Sequence, residues 1–134
     1  MTDAAASPAV ETSITHSDVV TKYTVAGDIT NRTLTTLIPL CIPGANILNL
    51  CKLGDKLILD GTNAVYTKSK MIKGIAFPTS ISVNHVACHF SPLVSDEESK
   101  MVLNKDDVVK MYFFAFFMRS LLILTLWIVI WVRM

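Results

Sequence analysis

Residues Gly74–Leu93, GIAFPTSISVNHVACHFSPL, decide how this chain is read. The run from Thr79 to Val83 is β-branched and partly alternating, which predicts an extended strand. Asn84 and His85 fall at the expected turn, and Val86–Phe90 is expected to return as the partner strand. His85, Cys88 and His89 carry the imidazole and thiolate donors that zinc takes. On a returning strand, however, His85 and His89 would share one face while Cys88 took the other. A fourth protein ligand is also missing, so packing or a role inherited from the fold is the expectation for these side chains, not a metal site.

Upstream of this stretch the periodicity is helical. Val19, Tyr23, Ala26, Ile29 or Thr30, Leu34, Leu37 and Ile38 recur at three- and four-residue steps from Asp18, with Thr15 and Asp18 at capping-box spacing. Pro39 is expected to end or bend this helix. After the turn signal Ile42-Pro43-Gly44, the residues Ile47, Leu50, Cys51, Leu57 and Ile58 predict a second amphipathic helix, stopped by Gly61. Downstream, Ser95 and Glu98 have capping-box spacing for one short helical turn, and Asn104–Asp107 reads as a polar turn feeding Val108 and Val109.

The first 17 residues, rich in Ala, Ser and Thr, bury too little apolar surface to offset the entropy of ordering and are expected to be disordered. They lack a basic start and an apolar run, so they do not read as a secretory signal. The 134-residue chain carries 12 basic and 11 acidic residues, a formal net charge of +1 that gives no bulk attraction to nucleic acid or anionic lipid. Three widely spaced cysteines, Cys41, Cys51 and Cys88, make no disulfide framework and suit a reducing compartment. Lys52, Lys56, Lys68, Lys70 and Lys73 invite a basic RNA-binding surface, but Asp55 and Asp60 interrupt them and no aromatic residues interleave for base stacking. By these features alone they read as a solvated face.

Four segments together carry a family resemblance. The stretch Gly74–Leu93 resembles the pattern of the methionine-aminopeptidase superfamily, most closely its catalytically silent proliferation-associated branch. In the same order, DVVTKYTVAGDITNRTL (Asp18–Leu34) resembles the family's first helix, ILNLCKLGDKLI (Ile47–Ile58) its second, and KDDVVK (Lys105–Lys110) the strand leading to the active site. The resemblance implies an α/β (α+β) pita-bread fold, of which residues 18–110 would form an incomplete N-terminal half. It implies that His89, with Cys88 and Pro92 in register, matches the substrate-positioning histidine of active relatives. It also implies that Tyr112 stands where active relatives place their first metal-binding aspartate. A phenol is protonated at neutral pH and does not replace a bridging carboxylate. The remaining ligands would lie further along, so the expectation is no catalytic residues, no metal, no cofactor and no small-molecule substrate: a pseudoenzyme associated with the ribosome or RNA, in the cytosol and also the nucleus or nucleolus. The alternative is a fragment of a metal-dependent methionine aminopeptidase.

Beyond Lys110 the family pattern stops. Residues 111–134, MYFFAFFMRSLLILTLWIVIWVRM, supply most of the excess in a mean hydropathy of +0.49. They are expected to form one apolar helix, and residues 112–132 have about the length that spans a bilayer, which would make the chain a tail-anchored membrane protein. The competing and preferred expectation is a truncated or mis-spliced reading frame, because the pattern is lost inside a core strand.

Overall fold

The computed structural model describes residues 15–118 and 126–133, with side chains described through Phe117. The expected disordered tail therefore lies almost wholly outside the described residues. Helix α1 runs Ser17–Leu37 and buries Val19, Ala26, Ile29, Leu34 and Leu37 at the predicted spacing. Its N-cap is His16, with Asp18 in the first turn. Two threonines join the buried face. The Thr30 hydroxyl donates to the Ala26 and Gly27 carbonyls, and that of Thr33 donates to the Ile29 carbonyl at 3.0 Å, so neither buried hydroxyl is left unpaired. Pro39 ends the helix as expected, within a 3-10 turn at Ile38–Leu40.

Helix α2 runs Ile47–Ala64 and starts at Asn46, whose side chain accepts from the Asn49 amide at 3.0 Å. Gly61 does not stop it. A Cβ built there would lie 2.7 Å from Ile29 Cγ2, so this glycine lets α1 and α2 approach. Gly54 plays the same part against the sheet, where a Cβ would come within 2.7 Å of the Thr79 side chain. The two glycines mark contact faces rather than a terminus.

Strand β1 spans Ile72–Val83 and pairs antiparallel with β2, Val108–Met118, which pairs in turn with β3, Leu126–Arg133. The sheet order is β1-β2-β3. Val86–Phe90, expected as the partner of β1, is not a strand. Asn84 adopts φ +52 and turns the chain, and its amide donates to the Val108 carbonyl at 2.8 Å, so β2 takes the pairing edge. One bond survives on the other edge, from the Ile81 amide to the Phe90 carbonyl at 2.9 Å. The short helical turn forms at Glu97–Lys100, and the polar turn before Val108 is present, with Asp106 at φ +68.

The single apolar helix expected from Met111 is also corrected, because residues 111–118 and 126–133 lie in strands β2 and β3. Aromatic residues such as Phe113 and Phe114 fit a pleated surface, and β1 offers a pairing edge, with register shifts between Ile75, Phe77 and Ser80. Among the described residues no helix is long and apolar enough to cross a membrane, so the membrane reading of residues 112–132 loses the helix it needs. Residues 119–125 lie outside the described residues.

Candidate functional site

The antiparallel register sorts β1 and β2 into two faces. Ile81 opposes Met111 and Val83 opposes Val109, and all four belong to the core beneath the helices. Ser80 opposes Tyr112 and Ser82 opposes Lys110, which puts these four on the other face. The loop after β1 folds back over that face. The Phe90 amide donates to Ser82 Oγ at 3.3 Å, and this brings His89 above Tyr112.

His89 is exposed and held at φ +61. Its ring stacks on Tyr112 with centroids 6.5 Å apart at 28°, and meets the edge of Phe77 at 5.5 Å. Phe77 in turn packs edge-on against Phe114 at 5.5 Å. The structure therefore brings together His89 and Tyr112, which the sequence pointed to 23 positions apart. It adds Phe77, Phe114 and Ser80, which sequence reasoning missed. Ser80 is fully buried, and its Oγ has no hydrogen-bond partner among the described residues. Alternation from Ile81 and Val83 was the signal that places Ser80 on this face.

The other donors do not converge. His85 and Cys88 are exposed in a loop rather than alternating along a strand, so the strand argument used to separate them does not apply. No group of three or more metal-ligating side chains occurs among the described residues. Cys41 and Cys51 are buried; burial first, and then the nearby Asp55 carboxylate, pushes the Cys51 thiol up to about 12, and burial also raises Cys41. Such thiols stay protonated and are poor nucleophiles.

The loop is anchored by a polar cluster at its base. Asn84 donates through Nδ2 to Asp107 Oδ1 at 2.8 Å and accepts at Oδ1 from the Val108 amide at 2.9 Å, while Lys110 Nζ donates to the Asn84 carbonyl at 2.7 Å. Asp107 Oδ2 accepts from the Asn104 amide at 2.7 Å. This amide, and then the Asn84 side chain, hold the Asp107 carboxyl below the usual carboxylate range. Of the five lysines considered for RNA, Lys56 pairs with Asp60 at 2.8 Å, and Lys73 donates to the Asn63 and Val65 carbonyls at the end of α2. Lys52, Lys68 and Lys70 stay exposed.

No protein-family profile matches the chain. It is 40% identical over 108 residues to a curved DNA-binding protein of Schizosaccharomyces pombe, covering 81% of this chain and 28% of that relative. It is 41% identical over 93 residues to proliferation-associated protein A of Dictyostelium discoideum, covering 69% and 23%. Among solved structures it is similar to a thermophilic Arx1, with a TM-score of 0.69 and 33% identity over 76% of this chain and 28% of that one. The chain thus spans about a quarter of the length of the relatives it matches.

Proposed function

We propose, from the premise that this chain belongs to the proliferation-associated, methionine-aminopeptidase-like family, a non-catalytic role in association with the ribosome or its RNA, in the cytosol and nucleolus. The observation that carries the non-catalytic part is the stack of His89 on Tyr112. A two-metal hydrolase needs carboxylates to bridge its ions and generate hydroxide. Beside His89 this chain instead offers a phenol that is 6% exposed, in an aromatic row that continues through His89 to Phe77 and Phe114. The ribosome part rests on resemblance to the family, since Asp60 pairs with Lys56 and Asp55 also lies among the lysines.

Two assays separate the parts. The protein is incubated with a methionyl tripeptide and excess Mn2+ or Co2+, and sedimented with ribosomes through a sucrose cushion at low and moderate salt. No release of methionine and salt-sensitive co-sedimentation are expected. Methionine release by the wild-type chain would replace this reading with that of an aminopeptidase fragment, and failure to sediment with ribosomes would remove the partner while leaving the non-catalytic conclusion standing.

A further inference from the structure

The segment between His89 and β2 carries a sequence pattern that the fold leaves unused. In Ser95-Asp96-Glu97-Glu98 three carboxylates follow directly on a serine, and no other serine or threonine of the chain is followed in this way. The spacing of Ser95 and Glu98 is that of a capping box, yet the 3-10 turn Glu97–Lys100 takes Asp96 as its N-cap and has no side-chain cap bond. The Ser95 hydroxyl is therefore not engaged in capping. It is exposed, and among the described residues it donates to the neighbouring Asp96 Oδ1 at 3.2 Å.

The surroundings present this hydroxyl to another protein. Residues 91–96 belong to no helix or strand, and Leu93 and Val94, just before the serine, are 66% and 69% exposed. Two bonds close the turn: the Leu93 amide donates to Asp96 Oδ2 at 2.8 Å, and the Asp96 amide returns to the Leu93 carbonyl at 3.1 Å. Glu97 and Glu98 are exposed and make no ion pair among the described residues, so their charges are open to the basic side chains of a partner. An exposed hydroxyl with an acidic run behind it complements a kinase whose substrate cleft is basic, because opposite potentials steer the right pair together and like potentials reject the wrong one.

We propose that Ser95 is a phosphorylation site, modified by a protein serine kinase that selects acidic residues after its acceptor. The phosphate donor is a magnesium-bound nucleoside triphosphate. Ser95 Oγ forms the new bond to the terminal phosphorus, the bridging bond from that phosphorus to the nucleoside diphosphate breaks, and the hydroxyl proton passes to the kinase's own base. The product sets a charge of about −2 beside Leu93 and Val94, which turns an exposed apolar corner into an anionic one. The site needs neither the ribosome association nor the non-catalytic reading, and stands or falls separately from both.

The test incubates the full folded chain with magnesium ATP labelled in its terminal phosphate and with either of two purified kinases, one of the acid-directed casein-kinase type and one that requires basic residues before its acceptor. Tandem mass spectrometry locates the label. The acid-directed kinase should label Ser95 and the base-directed kinase should not, and Ser95→Ala should abolish the incorporation. Replacing both Glu97→Lys and Glu98→Lys should slow labelling of Ser95 about tenfold, because the charges that the cleft selects are reversed. All three positions are exposed, so a circular dichroism spectrum unchanged from wild type is expected for each variant. Label on a different residue, undiminished labelling of the double variant, or equal labelling by the two kinases would overturn the inference. So would labelling of a peptide of residues 91–101 but not of the folded chain, which would show that the fold withholds the hydroxyl.

Discussion

Ser80 and Ile81 are neighbours in β1, both fully buried, and they face opposite ways. Ile81 sits in a sealed apolar layer with Val83, Val109 and Met111 under the helices. Ser80 lies on the face shared with Tyr112, roofed by a loop held in place by a polar cluster and one aromatic stack. The first face is built for packing. The second keeps a buried hydroxyl with no partner among the described residues.

The sharpest way to break this contrast is to cut the packed face. Ile81→Ala removes three carbons from a site with 0% exposure, and should lower stability by roughly 2–5 kcal/mol. Urea unfolding would measure it. A loss below ~1 kcal/mol would mean that the helix-covered face is loosely packed and that the two faces do not differ in kind.

A smaller effect tests how α2 is seated on that same strand. Gly54→Ala places a Cβ 2.7 Å from Thr79 Cγ2 and Oγ1 and should cost about 1–3 kcal/mol. Thr79 is 1% exposed, so its side chain has no free space to retreat into. Combining Gly54→Ala with Thr79→Ala removes the clashing atoms while the backbone bond from the Thr79 amide to Asp55 remains. The double variant should therefore lose less than the sum of the two singles. Simple additivity would show that the close approach is not a constraint.

Acid addresses the base of the loop. Asp107 has a folded-state pKa depressed by the Asn104 amide and then by Asn84, so its contribution is present above the unfolded value of about 3.9 and is lost as pH falls through the lower folded value. Thermal melts of the wild type should fall off below pH ~4, and Asp107→Asn should show a shallower decline over the same window. Parallel curves would mean that other carboxylates dominate acid unfolding.

Much of the sealed face was legible in the sequence. Val19, Ala26, Ile29, Leu34 and Leu37 announced α1 by spacing, and Ile47, Leu50, Cys51 and Ile58 announced α2. Gly61 misled because propensity is local, whereas its use is set by Ile29 on another helix. Val86–Phe90 misled because its composition suits a strand, yet Asn84 and the later β2 decide which segment pairs. The tail misled most, since long apolar runs give hydropathy without saying whether a pairing edge awaits them. Of the site, His89 and Tyr112 were legible through family resemblance, while Phe77, Phe114 and the exposed Leu93–Val94 turn depend on loop geometry that no period encodes.

The smallest expected effect tests the second face most directly. In Ser80 a hydroxyl has left water for a site that offers it no partner among the described residues, a situation that costs about 1–3 kcal/mol when uncompensated. Ser80→Ala deletes that cost along with one atom of packing, so stability should stay within ~0.5 kcal/mol of wild type or rise, against the large loss at Ile81 one position away. A loss above ~1 kcal/mol would show that the hydroxyl is bonded in solution, and the second face would then be a satisfied structural surface. A neutral or stabilising result would show that the Ser80 hydroxyl contributes nothing to folding, in contrast to Ile81 beside it.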